Sequence, residues 1–243
     1  MKRISLLLIL LISIGSTNLF AQFSKKVVGN NKYVSVFHKI ENYTKLVVSN
    51  VKANVVYVNE PDSAGVVKIF GEENIVQLID VSCLKHTLTI KTANMKSTEH
   101  GLLMIYVYSS DIQTIDLTGG VIFDTNDPIK QASMKLAITG DGQINIPHLE
   151  CEKLNVSLLG GGDVLVGGKA TEASYTVVGG GEIRADRMII KTASAKLIGN
   201  GNIGCYVSKL LKVTITGVGN IYYRGKPEVK STIIGTGNVR ALE

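Results

Sequence analysis

The sequence has 243 residues, 45% of them apolar and 19% charged, with 25 Gly, four Pro and no Trp. That balance excludes a disordered tail, and glycine without a G-X-Y period or accompanying proline excludes collagen and low-complexity linkers. The formal charge of +6 falls to +4 once Lys2 and Arg3 are removed with a leader, which is not the footprint of a nucleic-acid binder.

Lys2 and Arg3 precede an apolar run from Ile4 to Ile14, followed by Ser16, Thr17 and Asn18 and then Leu19-Phe20-Ala21-Gln22. This predicts a secretory signal peptide over 1–21, cut after Ala21. The run falls short of the roughly 20 residues that span a bilayer, and no later run is long or apolar enough. The expected mature protein is therefore exported to the periplasm, the outside or the cell surface, and is not membrane-embedded. Residues 22–117 are rich in strand patterns at 33–37, 45–51, 54–58, 66–70, 87–91 and 102–108, broken by a strong turn signal from Glu60 to Gly65. Cys83, Cys151 and Cys205 are odd in number and far apart, so no disulfide framework exists and stability must come from the core.

From residue 118 to 243 the chain repeats itself. The segments ITGDGQI, LLGGGDV, VVGGGEI, LIGNGNI, ITGVGNI and IIGTGNV align on paired glycines. The pairs are Gly140 and Gly142, Gly160 and Gly162, Gly179 and Gly181, Gly199 and Gly201, Gly217 and Gly219, and Gly235 and Gly237. The first glycines are separated by 20, 19, 20, 18 and 18 residues, and an imperfect member, LTGGVIF, lies at 117–123. A second alternating segment, such as LNVSL or KVTIT, lies between successive motifs. This period is too short for a propeller blade and too long for a nonapeptide roll. It fits one coil of a parallel β-solenoid, whose coils stack at about 4.8 Å so that equivalent residues form columns. Hairpins with G-x-G turns would recur about every ten residues instead. The expected fold is all-β: a parallel β-helix or β-solenoid of six or seven coils, preceded by an irregular N-terminal β capping region, either a small β layer or less regular coils.

The motifs Gly199-Asn200-Gly201-Asn202-Ile203 and Gly217-Val218-Gly219-Asn220-Ile221, with Gly235-Thr236-Gly237-Asn238-Val239 one methylene away, resemble the repeats of the auto-transporter adhesin head GIN domain family. Phe37-His38-Lys39-Ile40, Gly71-Glu72-Glu73-Asn74 and Thr87-Leu88-Thr89-Ile90 look similar to that family's N-terminal half. The family is known mainly from secreted proteins of Bacteroidetes-type bacteria. The resemblance implies a pectate-lyase-like β-helix and an adhesive or surface-interaction role. The triplets made by Gly161 and Gly180, and Asp163 and Glu182 in place of Asn, depart from its pattern.

Catalytic and nucleotide motifs fail on their context. Gly199-x-Gly201-x-x-Gly204 lacks a following amphipathic helix to hold a pyrophosphate. His38, His86, His100 and His148 lie far apart in sequence and in no metal-ligand spacing. No G-x-S-x-G elbow is present. The expectation is a non-enzymatic module with no catalytic residues, cofactor or resident metal. The column after the second glycine carries the one sharp chemical signal: Gln143, Asp163, Glu182, Asn202, Asn220 and Asn238. In register, Asp163 and Glu182 sit one coil apart, as a solvated pair, a calcium site, or a retaining-glycosidase pair with Arg184 and Arg187 clamping a substrate carboxylate. Tyr222 and Tyr223, with Tyr206 one coil away, could form a shallow sugar-binding surface. The expected partner is a cell-surface polysaccharide or protein, with polysaccharide binding or processing around Asp163 and Glu182 as the alternative function. An uncovered edge after Val239 would also favour a homo-oligomer joined through solenoid edges.

Overall fold

A computed structural model describes residues 26–92 and 98–242; the leader expected over 1–21 lies outside the described residues. In chain order the strands are β1 (Val27–Val28), β2 (Tyr33–Lys39), β3 (Lys45–Ser49), β4 (Asn54–Val58), β5 (Val66–Glu72), β6 (Ile79–Leu84), β7 (Thr87–Thr92), β8 (Thr98–Glu99), β9 (Met104–Tyr108) and β10 (Thr114–Thr118). They continue as β11 (Ile122–Asp124), β12 (Ile129–Thr139), β13 (Gln143–Gly160), β14 (Asp163–Gly179), β15 (Glu182–Gly199), β16 (Asn202–Gly217), β17 (Asn220–Arg224), β18 (Glu228–Gly235) and β19 (Asn238–Ala241). One short helix, α1 (Glu73–Val76), follows β5. The architecture is a β-solenoid of about six turns.

The glycine period is the coil period. Parallel pairing sets Gly160 against Gly179, Gly179 against Gly199, Gly199 against Gly217 and Gly217 against Gly235. At this corner the first glycine's carbonyl points along the stacking axis. The Gly179 oxygen accepts from Asn200 N–H at 3.1 Å and Gly201 N–H at 3.0 Å, and the Gly199 and Gly217 oxygens accept likewise from the coil above. That carbonyl occupies the space where a Cβ would stand in the next coil: one built on Gly199, whose φ is +121°, would lie 2.5 Å from the Gly179 oxygen. Backbone chirality and the stacked carbonyl thus impose glycine independently. The middle residue of the motif is free of both demands. Gly161 and Gly180 share its column with Asp141 and Asn200, which is why the triplets fit the same corner.

Inward positions form continuous apolar columns, as period-two alternation requires. One runs Leu88, Leu46, Ile115, Leu136, Val156, Tyr175, Ala195, Val213, every member buried and paired in register with the next. The large Tyr175 is followed by the small Ala195, which keeps the lumen filled at near-constant volume.

The N-terminal strands both extend and cap this stack. β10 pairs in parallel with β12 on one side and β3 on the other, and β11 likewise lies between β13 and β4. Beyond them β7 and β9 pair in parallel with β3 and β4. Layer order is therefore not chain order: the β7 and β9 coil lies outside the earlier β3 and β4 coil. Pairing then turns antiparallel, with β6 on β7, β5 on β9 and β2 on β5. The turn signal from Glu60 to Gly65 is a single 3-10 turn over Pro61–Ser63 closed by Gly65 at φ +85°.

Unequal repeat steps are absorbed at one place. The ladder slips between Ile146 and Leu149, between Leu165 and Gly167, and between Ala185 and Thr192, whereas the glycine corner stays in register throughout. These bulges shape the corner opposite the glycine column in sequence phase.

Candidate functional site

The column after the second glycine is in register as the repeat requires: Gln143 pairs with Asp163, Asp163 with Glu182, Glu182 with Asn202, Asn202 with Asn220, and Asn220 with Asn238. Asp163 and Glu182 are therefore lateral neighbours on one outward, half-exposed row. The Glu182 carboxylate lies 3.8 Å from Arg184 Nε within its own strand, at side-chain exposures of 44% and 50%, so solvent screens the pair heavily. Higher in the column the amides begin a ladder, with Asn220 Nδ2 donating to Asn202 Oδ1 at 3.4 Å. Among the described residues no three His, Cys, Asp or Glu side chains gather into a metal-holding cluster.

The neighbouring outward row runs Asp124, Asn145, Leu165, Arg184, Gly204, Tyr222, Arg240. It brings Arg184 and Tyr222 two coils apart on one face, with Gly204 leaving a notch between them. Tyr223 alternates inward: it pairs with Cys205 and packs against the core, which leaves Tyr222 as the outward member. Arg187 belongs to the bulged corner, paired with Gly167, and does not face Asp163. Cys83, Cys151 and Cys205 are all free thiols. Burial pushes the Cys205 thiol up to about 12 and Cys151 up to about 11, so neither is a nucleophile at neutral pH.

A trough of about 600 Å³ crosses several coils at the bulged corner. Its floor is the backbone along the column Gln131, Cys151, Ala170, Ile190, the last three of which turn their side chains into the core. One wall is Lys130, Glu150, Lys169, Ile189, and the other carries Glu152, Thr171, Lys191 and Ser208. Glu150 sits between two cations, 2.9 Å from Lys169 Nζ and 3.6 Å from Lys130 Nζ, and the Lys169 contact foremost holds its carboxyl below the usual range. A second hollow of about 280 Å³ over Pro128, His148 and Gly168 shares the Lys130, Glu150, Lys169 and Ile189 wall and lengthens the groove. Neither hollow is lined by Asp163, Glu182, Arg184, Tyr222 or Tyr223. Residue types alone did not reveal this trough. The signal for it was the unequal repeat steps, since inserted residues must bulge somewhere and a bulged corner is where a regular coil turns concave.

No curated protein matches the chain. Solved structures do. A "putative adhesin" from Bacteroides fragilis superposes with a TM-score of 0.84 at 25% identity, covering 89% of this chain and 100% of that one. A "Putative lipid binding protein" from Parabacteroides distasonis gives 0.78 at 22% identity, over 90% of this chain and 100% of that one. A "putative adhesin" from the same organism gives 0.71 at 21%, over 89% and 100%. The latter two likenesses are of fold alone. The family model described as "Putative auto-transporter adhesin, head GIN domain" matches residues 42–227, which spans both the N-terminal coils and the glycine-cornered array, and the chain belongs to that family.

Proposed function

We propose that this protein is an exported, non-enzymatic surface-interaction module of adhesin type, and that the trough at its bulged corner receives a polymeric cell-surface glycan lying along the solenoid axis. The trough itself carries the reading. Its floor and walls recur once per coil, every ~4.8 Å, so it offers contacts at a fixed spacing to a ligand that is itself periodic. A pyranose in an extended chain advances by a similar distance. The exposed Ile189 on one wall offers an apolar contact to a sugar ring face, while Lys130, Lys169, Thr171, Lys191 and Ser208 supply donors along the rims. Membership in an adhesin-named family supports the same class of role.

The test is a glycan array probed with the mature protein, followed by calorimetry on the retained polysaccharide. Lys169→Glu combined with Ile189→Glu, which reverses one wall charge and removes the exposed apolar contact beside it, is expected to weaken binding at least tenfold, about 1.4 kcal/mol. Undiminished binding by that variant would remove the trough from the mechanism. A second reading, polysaccharide processing, is favoured by one observation: Asp163 and Glu182 occupy the same position of adjacent coils. It requires turnover of a retained glycan that Asp163→Asn abolishes; absence of cleaved product with the unaltered protein removes it.

A further inference from the structure

The antiparallel cap ends in an edge strand that carries none of the usual protections. β2 pairs with β5 along one side, and among the described residues no strand pairs with its other side. It is seven residues long and has no proline. Its lone lysine is the terminal Lys39, and Phe37 and Tyr33 are 65% and 45% exposed. Long edges with exposed apolar side chains are templates for further strand pairing. By contrast β6, the other outermost strand of the cap, is shorter and carries Asp80 within it.

Hydrogen-bond phase identifies which groups are free. Ile40 N–H donates to the Gly65 carbonyl and Glu73 N–H donates to the Lys32 carbonyl. The even-numbered residues of β2 therefore face β5, and the N–H and C=O groups of Tyr33, Ser35, Phe37 and Lys39 point outward from the sheet edge. The same four side chains lie on the outward sheet face, beside Lys68 and Phe70 of β5 and Tyr106 and Tyr108 of β9. There the Tyr33 and Phe70 rings stack at 5.6 Å, and Lys68 Nζ lies 5.7 Å from the Phe37 ring centre and 5.4 Å from that of Tyr106. Few aromatics exist in this chain, and gathering five of them on one exposed face marks an interaction surface.

We propose that β2 pairs with β2 of a second copy of this chain, antiparallel about a two-fold axis through Val36. The strand is self-complementary in that register and no other centre joins as many free groups. Tyr33 faces Lys39 of the second copy and Ser35 faces Phe37, each twice by symmetry, and all four belong to the set with free backbone groups. About eight main-chain hydrogen bonds form, two for each of the four pairs. On the outward face the two Phe37 rings become diagonal neighbours within contact reach, and each Lys39 ammonium comes over the partner Tyr33 ring. The two aromatic faces fuse into one.

The test is sedimentation velocity of the mature protein up to millimolar concentration, with two variants. Ser35→Pro removes an outward N–H and leaves the β5 ladder intact, so the folded chain is expected to lose the dimer entirely. Val36→Cys in a Cys83→Ser background places two thiols at a non-hydrogen-bonded pair with Cα atoms about 4.5 Å apart, within disulfide reach, and is expected to give a covalent dimer on oxidation. A chain that stays monomeric at all concentrations, a dimer that survives Ser35→Pro, or a Val36→Cys protein that does not cross-link would each overturn the proposal. So would a β2 edge that captures only an unrelated extended peptide.

Discussion

Gly199→Ala isolates the feature that sets the coil. The new Cβ stands on a backbone at φ +121° and 2.5 Å from the carbonyl oxygen of Gly179. Holding a non-glycine residue in that backbone region costs about 1–3 kcal/mol. Pushing a hydrogen-bonded carbonyl aside in a packed stack adds about 1–3 kcal/mol. A total near 4 kcal/mol lowers the melting temperature of a chain this size by roughly 12 °C. The matched control is Gly180→Ala, one residue along, where φ is not positive and the nearest neighbour is the Asn200 side chain at 3.3 Å; it should be close to neutral. Urea unfolding followed by circular dichroism measures both. Stabilities for the two variants within about 1 kcal/mol of each other would refute the claim that stacked carbonyls dictate the glycines.

Glu72 should make the N-terminal cap acid-sensitive. It is 3% exposed and accepts backbone hydrogen bonds from Gly101 at 2.9 Å and Asn31 at 2.7 Å. The Gly101 bond first and the Asn31 bond second hold its carboxyl below the ordinary 4.5. A depressed folded-state value means the contribution is fully present above pH 4.5 and is lost as pH falls through the folded value. Hydrogen-exchange protection, taken relative to the intrinsic rate at each pH, should therefore fall at residues 29–32 and 98–101 on acidification, and Glu72→Gln should flatten that dependence; equal acid response in both proteins would contradict it. Tyr175 is fully buried and its hydroxyl has no hydrogen-bond partner among the described residues. Tyr175→Phe should accordingly raise stability by about 1 kcal/mol in calorimetry, and a comparable loss would reveal a partner for the hydroxyl.

The array was legible because a solenoid writes its geometry into sequence phase. Gly179 and Gly199 sit one above the other, and Asp163 and Glu182 are neighbours, since each coil repeats the same corner. The cap was less legible for a physical reason. β5, β6 and β2 show ordinary strand alternation, but alternation does not distinguish parallel from antiparallel partners, and the placement of β7 outside β3 depends on contacts remote in sequence. The aromatic face was hidden for the same cause: Tyr33, Phe70 and Tyr106 come from three strands that only pairing brings together. The trough was hidden because its floor, Cys151, Ala170 and Ile190, reads in sequence as ordinary core.

The order of layers near the N-terminus bears on how the molecule can be built and edited. β3 and β4 come first among the coil strands yet end up enclosed, with β7 and β9 on one flank and β10 and β11 on the other. Strands β3, β4, β7, β9, β10 and β11 thus form an interleaved unit from which no layer can be deleted without stranding another. From β12 onward each layer contacts only its predecessor and successor. Whole coils there can be duplicated or excised, lengthening or shortening the rod, while the interwoven base stays as it is.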